Sequence, residues 1–443
     1  MRGWTAALGA TAAMTVLAAM PGAPRAAVLL DGGSGGDTSV CPDGVLNVCI
    51  IGSGGTRTGT AGGANVFTGG VLLGLGAGGN GTLNVGPGAS VSVNTDPLHP
   101  GSVVAVGTES GAVGTLNVNG GTVTAPFVVV TNPNFSNTTG TMNVTNGGTV
   151  NVTNNSGVGG VPAFGVARSA GSQASVTIDG AGSTVNVTQG NVSQGRDGTG
   201  TVALTNGGAM NVNGRYFMGA VLPTGSATTT MGSGTSIAVT GDTLVGIGLN
   251  GSSLPDPAAS HGTANLTVGA GATFTATGGM YIGAGGTVGG GGTIEGNVFN
   301  YGGTLLPGQS PGTLTIDGNL TMEGGLIRIE IAGTGLGQYD VLNVLGMADI
   351  DGATVEFAFV EGFAPTTGDS IDFLQVQGAI EAENVTFAYS GLEPGFVFDV
   401  DQEGGVFSFT ARNDGVYVPE PASAALAALG LLGLVWTRRR RAA

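Results

Sequence analysis

A short phrase that recurs about every 30 residues constrains the fold of this sequence more than any other feature. The phrase GTLNV occurs at 81–85 and at 114–118, and related phrases begin at residues 140, 174, 200 and 262. Successive copies are 33, 26, 34, 26 and 62 residues apart, and the longest interval contains a degenerate copy, ATTTM, at 227–231. Repetition of this length predicts one small structural unit stacked on further copies of itself.

Each copy contains three strand-like segments in a fixed order. The anchor phrase comes first, a second segment follows a glycine turn, as in NGGTVNVT at 146–153, and a third, more apolar segment ends in glycine, as in YFMGA at 216–220. Apolar and polar residues alternate within the segments, so that Leu116 and Val118 flank Asn117. This alternation predicts strands with one buried and one exposed face.

Three short strands per repeat predict an all-β protein whose body is a right-handed parallel β-helix, or solenoid. We expect an N-terminal cap at 28–60, the repeat β-helix at 61–300 and the β-rich end and cap of the solenoid at 301–415. Roughly eight coils, about 4.8 Å apart, give the repeat region a length of about 40 Å. An antiparallel sandwich is the alternative, but it predicts hairpins and does not explain strands that recur in threes.

The composition suits strands and turns and disfavours binding to nucleic acid. Glycine contributes 89 of the 443 residues, charged residues contribute 9%, and every basic residue is an arginine. Glycine costs a helix interior about 1 kcal/mol relative to alanine. The chain has a net charge of −16, and residues 28–421 hold six arginines against 28 acids, 6 − 28 = −22. Such a surface repels phosphate backbones, so we expect no nucleic-acid partner.

The N-terminal segment is typical of a secretory signal peptide. Arg2 precedes an apolar run from Ala6 to Met20, and small residues follow it. We expect a signal peptide at 1–27, with cleavage between Ala19 and Ala27. The protein is therefore predicted to be exported.

The two cysteines of the chain, Cys41 and Cys49, flank a short loop, CPDGVLNVC. In an exported protein this spacing predicts a small disulfide-closed loop, with two free thiols as the alternative. A zinc site needs four ligands, and the two histidines, His99 and His261, are remote in sequence. We therefore predict no metal site.

After residue 300 the strands become longer and richer in isoleucine, phenylalanine and acids. The segments SPGTLTIDG at 310–318 and YDVLNV at 339–344 resemble a region found downstream of β-helical stalks in autotransporter-type passengers. This resemblance implies the C-terminal end of a solenoid, and the hairpin-like stretch at 396–412 suits a cap. No series of membrane-barrel strands follows, so we do not expect self-export.

The repeats offer little that resembles an active site. Glu109, Asp179, Asp197 and Asp242 occupy unlike positions and are interpreted as turn residues, and Arg196 beside Asp197 as a solvated turn pair. Glycoside hydrolysis needs two carboxylates about 5–10 Å apart. We predict no catalytic residue, no enzymatic activity and no cofactor, although a β-helical polysaccharide lyase or hydrolase is an alternative that clustered carboxylates with an arginine would favour.

The last 28 residues, 416–443, combine three features in order. They are the tripeptide Pro419, Glu420 and Pro421, an apolar stretch at 422–436, and the arginine cluster Arg438, Arg439, Arg440 and Arg441. Fifteen helical residues span about 22 Å, short of the roughly 30 Å hydrocarbon core but able to cross a thinned bilayer. The arginines are expected to stay in the cytoplasm, leaving the body outside.

This tail closely resembles the PEP-CTERM sorting signal of Gram-negative bacteria. The resemblance implies an exosortase-type membrane enzyme as partner, transient residence in the inner membrane, and transfer of the body to the cell surface or extracellular matrix. It also implies an association with exopolysaccharide and biofilm. We therefore predict a structural surface or matrix protein, with a glycan-binding adhesin as the first alternative, which exposed aromatic residues in register would favour.

Overall fold

The computed structural model describes residues 28–39, 41, 48–94, 102–132, 134–154, 162–220, 222–309 and 311–418. Within these residues the chain forms 43 β-strands, numbered β1 to β43 in chain order, and no helix. Three long sheets, A, B and C, contain almost all of the strands. The chain passes from sheet A to sheet C to sheet B and then returns to sheet A, so that three strands form one coil.

Sheet A has 14 strands in the order β1 (Val28–Leu30), β3 (Thr56–Ala61), β6 (Asn80–Val85), β9 (Val113–Asn119), β12 (Thr139–Thr145), β15 (Gln173–Asp179), β18 (Thr199–Thr205), β21 (Ser226–Met231), β26 (Thr263–Val268), β29 (Gly286–Gly290), β32 (Thr304–Pro307), β35 (Leu326–Ile331), β38 (Thr354–Phe359) and β41 (Thr386–Ser390). Sheet B has 13 strands in the order β2 (Val48–Ser53), β5 (Gly70–Leu75), β8 (Val103–Val106), β11 (Phe127–Val130), β14 (Phe164–Val166), β17 (Val192–Gln194), β20 (Tyr216–Met218), β23 (Thr243–Val245), β28 (Met280–Gly283), β31 (Val298–Tyr301), β34 (Leu320–Glu323), β37 (Ala348–Asp351) and β40 (Ile380–Glu383).

Sheet C has 14 strands in the order β4 (Ala64–Phe67), β7 (Ser90–Val93), β10 (Thr122–Ala125), β13 (Thr149–Val152), β16 (Thr184–Val187), β19 (Ala209–Val212), β22 (Ser236–Val239), β27 (Thr273–Ala276), β30 (Thr293–Glu295), β33 (Thr313–Asp317), β36 (Val341–Val344), β39 (Ser370–Val376), β43 (Val406–Ala411) and β42 (Phe398–Glu403). A separate small hairpin joins β24 (Gly248–Leu249) to β25 (Pro255–Asp256).

The strands pair in parallel and in register with their counterparts one repeat away. Leu83 pairs with Leu116, and Leu116 pairs with Met142, so the anchor phrases lie directly on one another in sheet A. The second segment of each repeat forms sheet C and the apolar third segment forms sheet B. The parallel solenoid is therefore confirmed, with one coil per repeat, and the antiparallel sandwich is wrong.

The parallel stack passes residue 300 without a break. Strands β32, β35, β38 and β41 continue sheet A, each parallel to the strand before it. The degenerate phrase ATTTM lies in β21 and occupies the expected place in the stack. With 14 strands in sheet A, the rod is about 65 Å long at about 4.8 Å per coil.

One continuous apolar core runs along the inside of the coils. It extends from Cys49 to Ala411, and inward side chains such as Leu83 and Leu116 are fully buried. The anchor phrase opens with glycine because the backbone of a neighbouring corner lies too close for a side chain. A Cβ on Gly114 would lie 2.2 Å from the backbone nitrogen of Gly107, and Gly107 turns that corner with a φ of +73°. A side chain at Gly114 would therefore push the corner away from the strand.

A buried polar cluster interrupts this core at the middle of the rod. The Oε1 atom of Gln194 accepts hydrogen bonds from the hydroxyls of Tyr216 (2.5 Å) and Thr229 (2.9 Å). Its Nε2 donates to the carbonyls of Gly200 (3.0 Å) and Thr228 (2.9 Å). Because each polar atom of the amide has a partner, the fold accommodates Gln194 without leaving a buried group unsatisfied.

The C-terminal end of the core is closed by an aromatic cap. Strand β43 pairs antiparallel with β39 and with β42, and we call β42 and β43 the cap hairpin. The ring of Phe409 in the cap hairpin lies 4.8 Å from that of Phe357 in sheet A, and the ring of Phe398 lies 5.4 Å from it. The hairpin therefore extends sheet C and also contacts sheet A across the end of the interior.

Candidate functional site

The C-terminal chain is fastened to the last coil by its backbone up to the point where the predicted sorting tripeptide begins. Gly415 donates a hydrogen bond to the carbonyl of Pro365 (2.8 Å), and Val418 donates one to the carbonyl of Gly391 (2.9 Å). Tyr417 pairs antiparallel with Leu392. We call residues 415–418 the strap; it leaves no spacer between the folded body and Pro419.

Two side chains that precede the strap hold it in place. Asn413 accepts a hydrogen bond from the backbone of Val397 (2.7 Å) and donates one to the carbonyl of Gly395 (2.9 Å). The carboxylate of Asp414 accepts bonds from the backbone and the hydroxyl of Thr367, both 2.8 Å, and these bonds lower the pKa of Asp414. The strap is therefore part of the folded body rather than a free linker.

The parallel coils, the aromatic cap and the strap at one end define a β-solenoid protein with a C-terminal extension. Residues 418–441 of that extension match the family described as the PEP-CTERM protein-sorting motif. The match begins at Val418, the last residue of the strap. This motif indicates a protein that is exported through the membrane and directed to exosortase and the cell surface. The chain matches none of the curated proteins with which it was compared.

Several residues predicted to act in sorting lie outside the described residues. They are Pro419, Glu420 and Pro421, the apolar stretch at 422–436 and the arginines at 438–441, as well as the predicted signal peptide at 1–27. Across 28–418, leaving out the gaps in that range, no helix is long and apolar enough to cross a membrane.

At the opposite end of the rod, a disulfide joins Cys41 to Cys49. Their Cα atoms are 4.2 Å apart. Cys49 lies in β2 and is fully buried, whereas Cys41 packs against the edge of the core. The bond ties the chain before β2 to the first coil of sheet B.

The scattered acids of the repeats bond to neighbouring coils rather than to one another. Asp179 accepts hydrogen bonds from Thr205 (2.6 Å) and Asn206 (2.7 Å), and both bonds lower its pKa. Asp242 forms an ion pair with Arg215 (3.0 Å). Among the described residues there is no group of three or more histidine, cysteine or acidic side chains that could hold a metal ion.

Arg196 and Asp197 lie in a bend after β17, and both are partly exposed. No ion pair joins them in the described part of the chain, where Asp197 instead accepts a hydrogen bond from the Thr224 hydroxyl. Arg196 and Arg168 line the same pocket. The sequence pattern did not identify Arg168 as a candidate site residue. Alignment of the third segments of successive repeats would have found the pair, because each arginine follows its sheet B strand at the same offset.

A groove on sheet A contains the best arrangement of carboxylates in the described structure. It has a volume of about 290 Å³ and is lined by Arg328, Glu330 and Asp340, among others. Asp340 is 2% exposed, and burial raises its pKa to about 6, although hydrogen bonds from Glu330 and Gly312 oppose the rise. The groove thus brings together the residue types that a polysaccharide hydrolase or lyase needs.

The geometry of Asp340, however, is that of a structural bracket. One carboxylate oxygen accepts the backbone N–H of Gly312 and the other that of Glu330, each at 2.9 Å. The backbone of Asp340 also donates to the carbonyl of Glu330 at 2.9 Å. A carboxylate held on both oxygens and shielded from solvent is poorly placed to exchange a proton with a substrate.

Aromatic side chains lie in register on the outer face of sheet B. Phe217 pairs with Leu244, Leu244 with Tyr281, and Tyr281 with Phe299. The Tyr281 and Phe299 rings stack with centroids 4.9 Å apart, and the guanidinium carbon of Arg215 lies 5.0 Å from the centroid of Phe217. Leu244, between Phe217 and Tyr281, is fully buried, so these half-buried rings form an aromatic strip that is covered at Leu244.

Proposed function

We propose that this protein is an exported, non-catalytic, rod-shaped component of the cell surface or extracellular matrix. The observation that best supports the proposal is the sorting motif at 418–441, which starts where the strap ends. In this scheme the signal peptide at 1–27 starts export, and the apolar stretch at 422–436 crosses the inner membrane with the four arginines in the cytoplasm. Exosortase then removes the tail and passes the body outward.

The fold gives this pathway a defined geometry. Because the strap fixes Val418 to the last coil, the capped end of the rod lies nearest the membrane while the tail is present. The mature body, without the terminal arginines, carries a charge of about 6 − 28 = −22. A right-handed solenoid with this acidity stays soluble and extended in a hydrated polysaccharide matrix.

The hydrogen bonds and ion pairs of the acidic side chains support a non-catalytic body. Asp340 is enclosed by backbone N–H groups, and Asp179 and Asp242 bond to different partners on different coils. These carboxylates lie on different coils and do not face each other across one glycosidic bond, as the two carboxyl groups of a glycoside hydrolase must.

The intact mass of the protein recovered from its native host tests the proposal. We expect the wild-type chain to end near Pro419–Pro421 and to leave the membrane fraction. A variant carrying P419A and P421A is expected to keep its mass through Ala443 and to stay in the membrane, because the tripeptide presented to the processing enzyme is altered.

A control variant, E393Q with P394A, changes a second Glu-Pro dipeptide that is exposed at the same end of the rod. It should be processed like the wild type. Wild-type protein that retains Ala443 in the host would contradict the processing scheme, and so would equal processing of the P419A and P421A variant.

The aromatic strip of Phe217, Tyr281 and Phe299 favours a second candidate function, glycan binding by one face of the rod. The Tyr281 and Phe299 rings stack on one another from adjacent coils, and their solvent-facing edges offer apolar contacts to sugar rings. An adhesin of this kind would use the same export route, so the two candidates differ in what the body does after release.

A further inference from the structure

Two of the six arginines in the body lie at equivalent corners of adjacent coils. Val166 of β14 pairs in register with Gln194 of β17, and Arg168 and Arg196 each follow two residues later. The residues between them, Ala167 and Gly195, turn the chain with φ of 53° and 59°. The two arginines therefore lie on one corner of a rod that is otherwise strongly acidic, and we call them the arginine pair.

Arg168 is buried, and its Nε atom has no hydrogen-bond partner in the described residues. It is 8% exposed, and it forms no ion pair with any acid in the described residues. Its stem folds back over its own strand, where Gly165 leaves room for it: a Cβ on Gly165 would lie 2.6 Å from the Cδ of Arg168. Burial first, and then the charge of Arg196, lower the pKa of Arg168 to about 10.

This arrangement costs folding free energy, because no acid in the described residues forms an ion pair with Arg168. A buried cation without a counter-ion loses its hydration, and two like charges on adjacent coils repel each other. The nearest acid along the chain, Asp197, also lines the pocket, but its carboxylate accepts a hydrogen bond from the Thr224 hydroxyl. Groups that weaken a fold in this way are typical of binding sites, where a ligand supplies the missing charge.

The arginine pair lines a pocket of about 290 Å³ that contains features suited to a sugar. Phe135 presents a ring that is 38% exposed, and the exposed polar residues Asn134 and Ser136 flank it. The Ser169 hydroxyl is already committed, since it donates to the carbonyl of Asn132 (3.0 Å). An aromatic face next to two guanidinium groups can hold a pyranose ring and the acidic group attached to it.

We propose that Arg168 and Arg196 bind the oxyanion of an acidic glycan, a uronate carboxylate or a sulfate ester, while Phe135 contacts the sugar ring. The proposal rests on the proposed matrix function for its choice of ligand. Planar guanidinium groups bind such oxyanions through two parallel hydrogen bonds. Nucleic acid fits poorly, because its closely spaced phosphates would meet the acidic body on both sides of a site only two arginines wide.

Binding of defined polymers to the full-length protein in detergent tests the proposal. The probes are polygalacturonate, its fully methyl-esterified form, dextran sulfate and inorganic sulfate, measured by biolayer interferometry at two salt concentrations. We expect at least one of the two charged polymers to bind, and to bind more tightly at the lower salt concentration than at the higher one. The esterified polymer should not bind. Whichever charged polymer binds identifies the oxyanion as carboxylate or sulfate.

R168Q and R196Q should each weaken that binding about tenfold or more, because each removes a charge-assisted hydrogen-bond donor. G165A keeps every charge but displaces the stem of Arg168, so it should also weaken binding. R412Q removes an arginine from the far end of the rod, where it pairs with Asp399, and should leave binding unchanged.

Thermal unfolding separates a binding role from a structural one. R168M should unfold at the same temperature as the wild type or higher, because it replaces an unpaired buried cation by an apolar chain of similar length. The proposal is overturned if neither charged polymer binds, if inorganic sulfate binds as tightly as the polymers, if R168Q and R412Q behave alike, or if R168M lowers the unfolding temperature. None of these results affects the mass of the processed chain, which tests the sorting pathway separately.

Discussion

Asp340 links two parts of the chain that lie 28 residues apart. Its carboxylate accepts the N–H of Gly312 on one side and that of Glu330 on the other, so one side chain fixes the loop before β36 to both β35 and the turn before β33. Gly312 lies in the phrase SPGTLTIDG, and Asp340 lies in the phrase YDVLNV. The bracket gives a physical reason for those two phrases to occur together.

Asp340 should make the stability of the protein depend on pH. Its pKa is about 6 in the folded protein against 3.8 for an unperturbed aspartate. The folded state therefore binds more protons than the unfolded state between these values, and stability falls as the pH rises through this window. Relative to D340N, the wild type should gain about 2–3 kcal/mol of unfolding free energy when the pH is lowered from 7.5 to 3.5.

Urea denaturation of both proteins at several pH values measures this difference. D349N is the control, because Asp349 is an exposed acid on the neighbouring strand β37. A difference between wild type and D340N that stays constant with pH, or grows as the pH rises, would refute the assignment.

Residue-scale features were only partly predictable from the sequence. The acids Asp179 and Asp242 were interpreted as turn residues, and both lie at or beside the ends of strands. The closeness of Arg168 and Arg196 could not be read from either residue alone, because it depends on the register between two coils. Contacts along the rod axis join residues about one repeat apart, so they are visible only after the repeats have been aligned segment by segment.

At the scale of the strand, asparagine ladders connect the coils on the outer face of sheet A. Asn117 donates a side-chain hydrogen bond to Asn84 (2.9 Å) and accepts one from Asn143 (2.9 Å). These residues are the asparagines of the anchor phrase, stacked in register. The phrase thus encodes an inward leucine or methionine for the core and an outward asparagine for the ladder.

Substitution of the ladder asparagines by threonine should show how much their side-chain hydrogen bonds stabilise the fold. Thr177 already occupies the equivalent position in β15, so threonine keeps the strand propensity of the site. N117T removes two bonds and should cost about 1–2 kcal/mol of unfolding free energy, whereas N143T removes one and should cost about half as much. Chemical denaturation measures both, and an equal cost for the two variants would argue against a ladder contribution.

The strands themselves were the most predictable element. Period-two alternation identified which face of Val113–Asn119 is buried, and the three segments per repeat correspond to the three sheets. The ladders and the buried cluster around Gln194 were not predicted, because their partners come from other coils. Local patterns specify the faces of a strand, whereas pairing partners are specified by the stacking register.

At the scale of the whole molecule, the two ends of the rod are built differently. The first strand, β1, pairs antiparallel with β3 and covers the start of sheet A. The last coils are filled with aromatic rings, and the cap hairpin covers the end of the core. Closed ends matter for an open solenoid, because an uncovered coil presents a row of unpaired backbone groups and an apolar interior.

Loss of the cap should promote pairing of two rods through their uncovered C-terminal ends. Phe409 is 2% exposed, and its ring contacts those of Phe357 at 4.8 Å and Phe398 at 5.2 Å. F409A leaves a cavity that should cost about 3–5 kcal/mol, enough to release a two-stranded hairpin from the last coil. Freed strands of sheet C can then pair with a second rod.

Size-exclusion chromatography with light scattering measures the outcome as a function of protein concentration. F409A should form a dimer whose fraction rises with concentration, whereas F135A, which removes an exposed aromatic ring in a loop, should behave like the wild type. An F409A protein that is destabilised but associates no more than the wild type would mean that the hairpin supports the last coil without preventing association. Because β1 still covers the other end of the rod, two F409A molecules meet through the same uncovered surface, an isologous contact that closes at the dimer.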